Sequence, residues 1–165
     1  MIVVTVGTQL PFDRLVRSMD LLVPHHPMPA IAQIGMTSYA PRHLQWHRSI
    51  PAIEFDATLR SASVIVSHAG TGTILMAQKL GKPIVVMPRR AALGEHRNDH
   101  QLGTVAQLLG RPGIFVAMDE GELEDALHAA LASETRPIDT GGPGAELRIS
   151  LRAFIVSGGK GPPAC

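Results

Sequence analysis

The sequence predicts an α/β protein: a parallel sheet of about six strands with helices on both faces. Three observations carry that expectation. Short β-branched runs alternate with segments of helical period through residues 1 to 132. Each run is bounded by Gly, Pro, Ser or Asp. The 165-residue length suits one domain with a single substantial core.

The elements follow in order. Met1 to Val6 is apolar, lacks a basic leader or small-residue cleavage site and meets Gly7, so Ile2 to Val6 reads as a strand. Phe12, Leu15, Val16, Met19 and Leu22 then share one helical face. Ala30 to Ile34 and Ala52 to Phe55 are the next strand candidates, within and after the polar, proline-rich stretch from Pro24 to Pro51. Val64 to Ser67 leads into a helix from about Thr71 to Leu80, stopped by Gly81 with Pro83 beyond. Ile84 to Met87 is the fifth strand candidate, and Leu102, Val105, Ala106 and Leu109 form a helical face ending at Gly110. After the strand candidate Ile114 to Ala117, Asp119 and Glu122 resemble a capping box for a helix of Leu123, Ala126, Leu127, Ala130 and Leu131.

The alternation stops there, so the domain is expected at 1–132 and a linker, docking segment and disordered tail at 133–165. Residues 133 to 146 carry Pro137, Gly141, Gly142, Pro143 and Gly144, a linker composition. Leu147 to Val156 fits either a strand alternation or a helical face; helix is favoured because such tails dock back on the domain. Gly158 to Cys165 is expected to be disordered.

A formal charge of +1 gives no reason to expect nucleic acid, and Tyr39 and Trp46 are too few for a base-stacking surface. The one cysteine, Cys165, excludes a disulfide framework and a cysteine metal site and fits a reducing, cytoplasmic compartment. No run approaches the roughly 18 to 20 apolar residues of a spanning helix, so membrane association is expected to be peripheral, through a partner. His25, His26, His43 and His47 invite a metal reading, but no carboxylate or cysteine completes a set, and no metal is expected.

The strongest chemical signal is Ser67-His68-Ala69-Gly70-Thr71-Gly72-Thr73, which follows a buried strand directly and opens a helix. Gly70 and Gly72 allow close backbone approach, the helix start offers unpaired N–H groups, and Thr71, Thr73 and His68 add donors, a set suited to a diphosphate. Taken alone, the loop would equally fit a plain tight turn. It is followed, however, by Gly81-Lys82-Pro83, by Pro88-Arg89-Arg90 after the next strand, and by Asn98-Asp99-His100-Gln101 at a helix start.

That order resembles the donor-site signature of GT-B glycosyltransferases, specifically the glycosyltransferase family 28 C-terminal domain. Within it, the chain is similar to short single-domain members: PssE-type exopolysaccharide subunits, and the catalytic subunit of the two-part transferase that adds the second GlcNAc to dolichol. The resemblance runs from Val4-Thr5-Val6-Gly7-Thr8-Gln9 to the helix ending near Leu131. It implies a Rossmann-like half of GT-B, a UDP-sugar substrate, no metal or other cofactor, and a separate membrane-anchored subunit that holds a lipid-linked saccharide acceptor. It also implies roles: Gly7, Thr8, His68, Gly70, Thr71, Gly72 and Thr73 at the donor diphosphate, with Gln9 close by, and Asp99, His100 and Gln101 facing sugar hydroxyls. Asn98 with Gln101 also fits a helix cap. Many relatives carry a glutamate for the ribose where this chain has Met76, so either the ribose is held otherwise, by Gln78 or backbone, or donor affinity is modest.

Arg89, Arg90 and Arg97 bracket the expected sugar position, and arginine forks match carboxylates. Glucuronate is therefore the favoured sugar, with a solvated basic loop as the alternative and Glu95 placed to neutralise part of the charge. An inverting transfer needs stabilisation of departing UDP and a base on the acceptor; this domain would supply the first, and His68 is a candidate base, with phosphate contact preferred. A non-catalytic UDP-sugar-binding regulatory subunit and a sugar-nucleotide isomerase remain open, the latter needing a second domain.

Overall fold

The computed structural model describes residues 1–133. β-branched residues run together in β1 (Ile2–Thr5), β4 (Val64–His68), β5 (Ile84–Met87) and β6 (Ile114–Val116), while β2 (Ala30–Gln33) has Ile31 between two alanines. With the short β3 (Gln45–His47), they make one six-stranded sheet in the order β3-β2-β1-β4-β5-β6, every neighbouring pair parallel. β1 is paired on both sides, Ile2 lying opposite Ala30 of β2 and Val64 of β4. The winding direction reverses at this point, so the loops leaving β1 and β4 diverge and open a crevice at the carboxyl ends of those strands.

Successive strand residues face opposite sides of the sheet, and both sides are covered. Ile2, Val4, Val66 and Val85 pack against α1 (Asp13–Leu22) and α5 (Leu123–Ala132). Val3, Ile65, Ile84 and Val86 pack against α2 (Ala52–Ser61), α3 (Thr71–Leu80) and α4 (His100–Leu108). The predicted face of α1 is buried through Phe12, Leu15, Val16 and Met19, and α3 ends as expected on Gly81, whose φ of +62° suits glycine.

Two expectations are corrected. Ala52 to Phe55 is the first turn of α2, not a strand: the Phe55 N–H donates to the Pro51 carbonyl at 2.8 Å, while Ile53 is 88% exposed. Its apolar alternation belongs to a helix whose Phe55 and Leu59, four apart, turn towards the sheet. The third strand is Gln45–His47, which is polar because it lies at an open edge where only Trp46 is half-buried. At α5 the cap is also displaced. Asp119 accepts from Gly121 at 3.0 Å and Glu122 from Met118 at 2.8 Å, around a 3₁₀ turn at Glu120–Glu122 that precedes the helix.

One buried charge on α1 organises the path to β3. Asp20 is 1% exposed and accepts from the Tyr39 hydroxyl at 2.7 Å and from the backbone N–H groups of Arg42, His43 and Leu44. Burial alone would raise its carboxyl; these donors outweigh that and hold it below the usual carboxylate range.

The expected linker and the docking segment Leu147 to Val156, like the tail from Gly158, lie outside the described residues, apart from Ser133. Among the described residues, no helix is long and apolar enough to cross a membrane.

Candidate functional site

At the reversal point lies a cleft of about 230 Å³, lined by Val6, Gly7, Thr8, Gln9, Leu10, His68, Arg89, His96 and Gln101. The β1–α1 loop forms one wall. Among the described residues, the backbone N–H groups of Gly7, Thr8, Gln9 and Leu10 have no hydrogen-bond partner. Gly7 has a φ of +75°, and its carbonyl lies so near Gly35 that a Cβ there would stand 2.5 Å from it.

His68 closes β4 with its ring between two glycines. A Cβ on Gly7 would come within 3.0 Å of Cε1, and one on Gly70 would overlap Nε2. The Nδ1 atom is 3.3 Å from the Ser67 hydroxyl. Burial, helped by the nearby Arg89 charge, lowers the imidazole from 6.5 to about 4, against an opposing backbone hydrogen bond with Thr5. His68 is therefore neutral at pH 7. Because the unfolded chain binds this proton more readily, stability should be complete above about pH 6.5 and fall as pH drops towards 4. The contribution is on the order of 3 kcal/mol. Denaturant melts across that window should be steeper in pH for the parent than for His68→Gln; identical slopes would remove His68 as the cause.

Gly70 is the N-cap of α3, and no side chain caps that helix, leaving first-turn N–H groups at Thr71, Gly72 and Thr73 open. Neither Gly70 nor Thr71 to Thr73 is among the residues that line the cleft. Met76 packs partly against the core beneath α3.

The expected sugar-binding residues separate. Arg89 is 2% exposed, and its guanidinium donates to the carbonyls of Val6 at 2.7 Å, Leu10 at 2.9 Å, Glu95 at 3.2 Å and Pro11. Arg90 donates to the Met118 carbonyl at 2.8 Å. Arg97 is exposed and, among the described residues, has no hydrogen bond or ion pair. Gln101 is buried and accepts from the Arg89 N–H at 3.0 Å; Asp99 accepts from Ala91 at 2.9 Å, and Asn98 from His100 at 3.3 Å. The cleft thus unites Gly7, Thr8, His68, Arg89 and Gln101 from the expected set, while Arg90, Arg97, Asn98, Asp99 and His100 stand outside its lining.

Other residues enter that the motifs do not point to. His96 lines the cleft, with Nδ1 accepting from the Asn98 N–H at 3.4 Å. Glu95 pairs with Arg14 of α1 through both carboxylate oxygens, at 2.7 and 2.9 Å, and Arg14 reaches on to Glu120 at 3.2 Å. Only the alternation of charge along residues 89 to 97 hints at this network, since its partner lies about eighty residues away in sequence. Among the described residues, no three His, Cys, Asp or Glu side chains gather to hold a metal ion; His26 instead lies against His128, ring centroids 5.2 Å apart.

Comparison with known proteins agrees with this architecture. UDP-N-acetylglucosamine transferase subunit ALG13 of Yarrowia lipolytica is 25% identical over 136 residues, 72% of this chain, and the match spans only 65% of that protein's length. The solution structure of an ALG13 superposes with a TM-score of 0.58 at 18% identity, covering 90% of this chain and 93% of that one. The crystal structure of the glycotransferase of kitacinnamycin gives a TM-score of 0.62 at 20% identity, covering 96% of this chain and 40% of that chain. At such identities the two structures speak for the shared fold. The family model of the glycosyltransferase family 28 C-terminal domain matches residues 1–139. Because that stretch takes in every described strand and helix, the chain belongs to the glycosyltransferase family 28 C-terminal domain family.

Proposed function

We propose that the chain is the donor-binding catalytic subunit of a two-component inverting glycosyltransferase that takes a sugar from UDP. The observation that carries this reading is the cleft at the strand-order reversal. Its wall offers the N–H groups of residues 7 to 10, the His68 ring and the Arg89 cation, and it contains no Asp or Glu. Such a wall favours an anion, and a diphosphate fits the N–H groups of the β1–α1 loop and the uncapped start of α3. Stabilising the charge that develops on departing UDP is then this subunit's part in the reaction. His68, neutral but weakly basic, is better suited to donate to phosphate than to deprotonate an acceptor.

A partner subunit, membrane-anchored and holding a lipid-linked saccharide, completes the reading, with this chain peripheral to the inner membrane face in exopolysaccharide synthesis. The likeness to a protein named as a transferase subunit supports the two-part arrangement. Glucuronate is the proposed sugar, and Arg97 is its proposed reader, since the Arg89 and Arg90 guanidiniums are bonded to backbone carbonyls.

Titration calorimetry with UDP, UDP-glucose and UDP-glucuronate tests this. UDP should bind, UDP-glucuronate should bind more tightly than UDP-glucose, and Arg97→Ala should remove about one to two orders of magnitude of preference. No UDP binding would end the donor reading. A parent without preference would return the sugar to unknown, and transfer to a lipid-linked acceptor by this chain alone would overturn the two-component part.

A further inference from the structure

We infer that Arg89 is a positioning residue: its buried guanidinium holds the β1–α1 loop so that N–H groups of residues 7 to 10 face the donor diphosphate, with its own charge beneath that anion. The inference rests on the donor-binding reading and moves Arg89 from sugar recognition to preorganisation of the phosphate site.

The geometry is specific. Nη2 takes the carbonyls of Val6 and Leu10, at 2.7 and 2.9 Å, and Nη1 takes that of Pro11, so one fork grips both ends of the loop. In a trans peptide the N–H points opposite to the C=O, and no peptide bond among the described residues is cis. Turning the Val6 carbonyl towards Arg89 therefore turns the Gly7 N–H away from it. The guanidinium also lies over the Phe12 ring, 4.6 Å from its centroid, and the Arg89 N–H is held by Gln101.

The charge balance points the same way. A buried guanidinium is ordinarily matched by a carboxylate. Here the carboxylate of Glu95 is occupied by Arg14 and by the Arg90 N–H; its charge acts on Arg89 from nearby, but only its backbone carbonyl bonds to the guanidinium. Among the described residues, Arg89 makes no ion pair. Burial lowers it to about 10, which leaves it charged at neutral pH. A cation without a directly bonded carboxylate thus underlies a cleft wall that lacks any acidic side chain, and a bound polyanion would add counter-charge beyond that of the nearby Glu95. Arg89 and His68 both line the cleft, and the Arg89 charge helps burial to lower the His68 imidazole.

The test uses Arg89→Met and Arg89→Lys in the full chain, with UDP and uridine as separate calorimetric probes and the His68 imidazole followed by NMR titration. Arg89→Met should weaken UDP by at least about 30-fold, leave uridine within about threefold, and move the His68 titration to higher pH. Arg89→Lys should keep the His68 titration near the parent's yet still lose about tenfold for UDP, because an ammonium cannot grip both ends of the loop as a fork does. A folded Arg89→Met that binds UDP like the parent, loses UDP and uridine alike, or leaves His68 unmoved would overturn the inference. Should the methionine variant not fold, the lysine variant decides, parental UDP affinity being the overturning result. A parent that binds no UDP would remove the donor reading itself, and the His68 titration would then decide alone whether the Arg89 charge acts on the cleft.

Discussion

Gly70→Val is expected to abolish UDP binding, a loss of more than about 100-fold or roughly 3 kcal/mol, in a chain that still folds. The backbone does not demand glycine there: Gly70 has a φ of −87°, which any residue adopts. The demand comes from space. A Cβ on Gly70 would overlap Nε2 of His68 and stand 2.9 Å from both Cδ2 and Cε1. Gly7 confines the ring from another side, where a Cβ would come within 3.0 Å of Cε1, so relief lies towards the cleft, where the diphosphate is proposed to sit. Gly103→Ala, in α4 and outside the cleft lining, is the control. Nothing lies within 4 Å of an added Cβ, and alanine should favour the helix by about 0.5–1 kcal/mol, so UDP affinity should change by less than about fivefold. A folded Gly70→Val with parental affinity for UDP would detach this loop from the donor.

The largest loss of stability is expected from Asp20→Ala, at about 3 kcal/mol, or roughly 10 °C in Tm. Removing the carboxylate strands the Tyr39 hydroxyl and three backbone N–H groups, of which that of Leu44 is buried. Asp20→Asn should cost about half as much, since one amide oxygen still accepts. The lowered folded pKa adds a pH signature: the stabilisation is present above the ordinary carboxylate range and is lost as acid takes the pH down through the folded value. Thermal melts at several pH values measure both effects. A variant melting within about 2 °C of the parent at pH 7 would show that other bonds hold the loop.

What could be read from residues alone follows physical lines. Buried strands such as Ile84–Met87 declare themselves because both faces must be apolar. Gln45–His47 does not, because an edge strand with exposed side chains carries no such demand, while the Ala52 to Phe55 stretch imitated a strand by its apolar alternation alone. The glycine turn after β4 was legible because a close approach leaves a compositional mark. The three arginines were legible only as charge. The partners of two of them are carbonyls distant in sequence, Val6 for Arg89 and Met118 for Arg90, and a carbonyl leaves no trace in residue type. Asp20 was invisible for the same reason, since most of its donors are backbone N–H groups.

The double pairing of β1 also bears on how the chain folds. Residues 2–5 gain a partner on one side from residues 30–33 by closing a shorter loop than the one that brings residues 64–67 to the other side. Contacts so separated in sequence make folding slow relative to helical proteins of equal size. Until β4 arrives, the apolar edge of β1 stays open as a template for other chains. His68 ends that same strand, so refolding followed through strand closure and through UDP binding should reach completion together, with no ligand-competent species populated earlier.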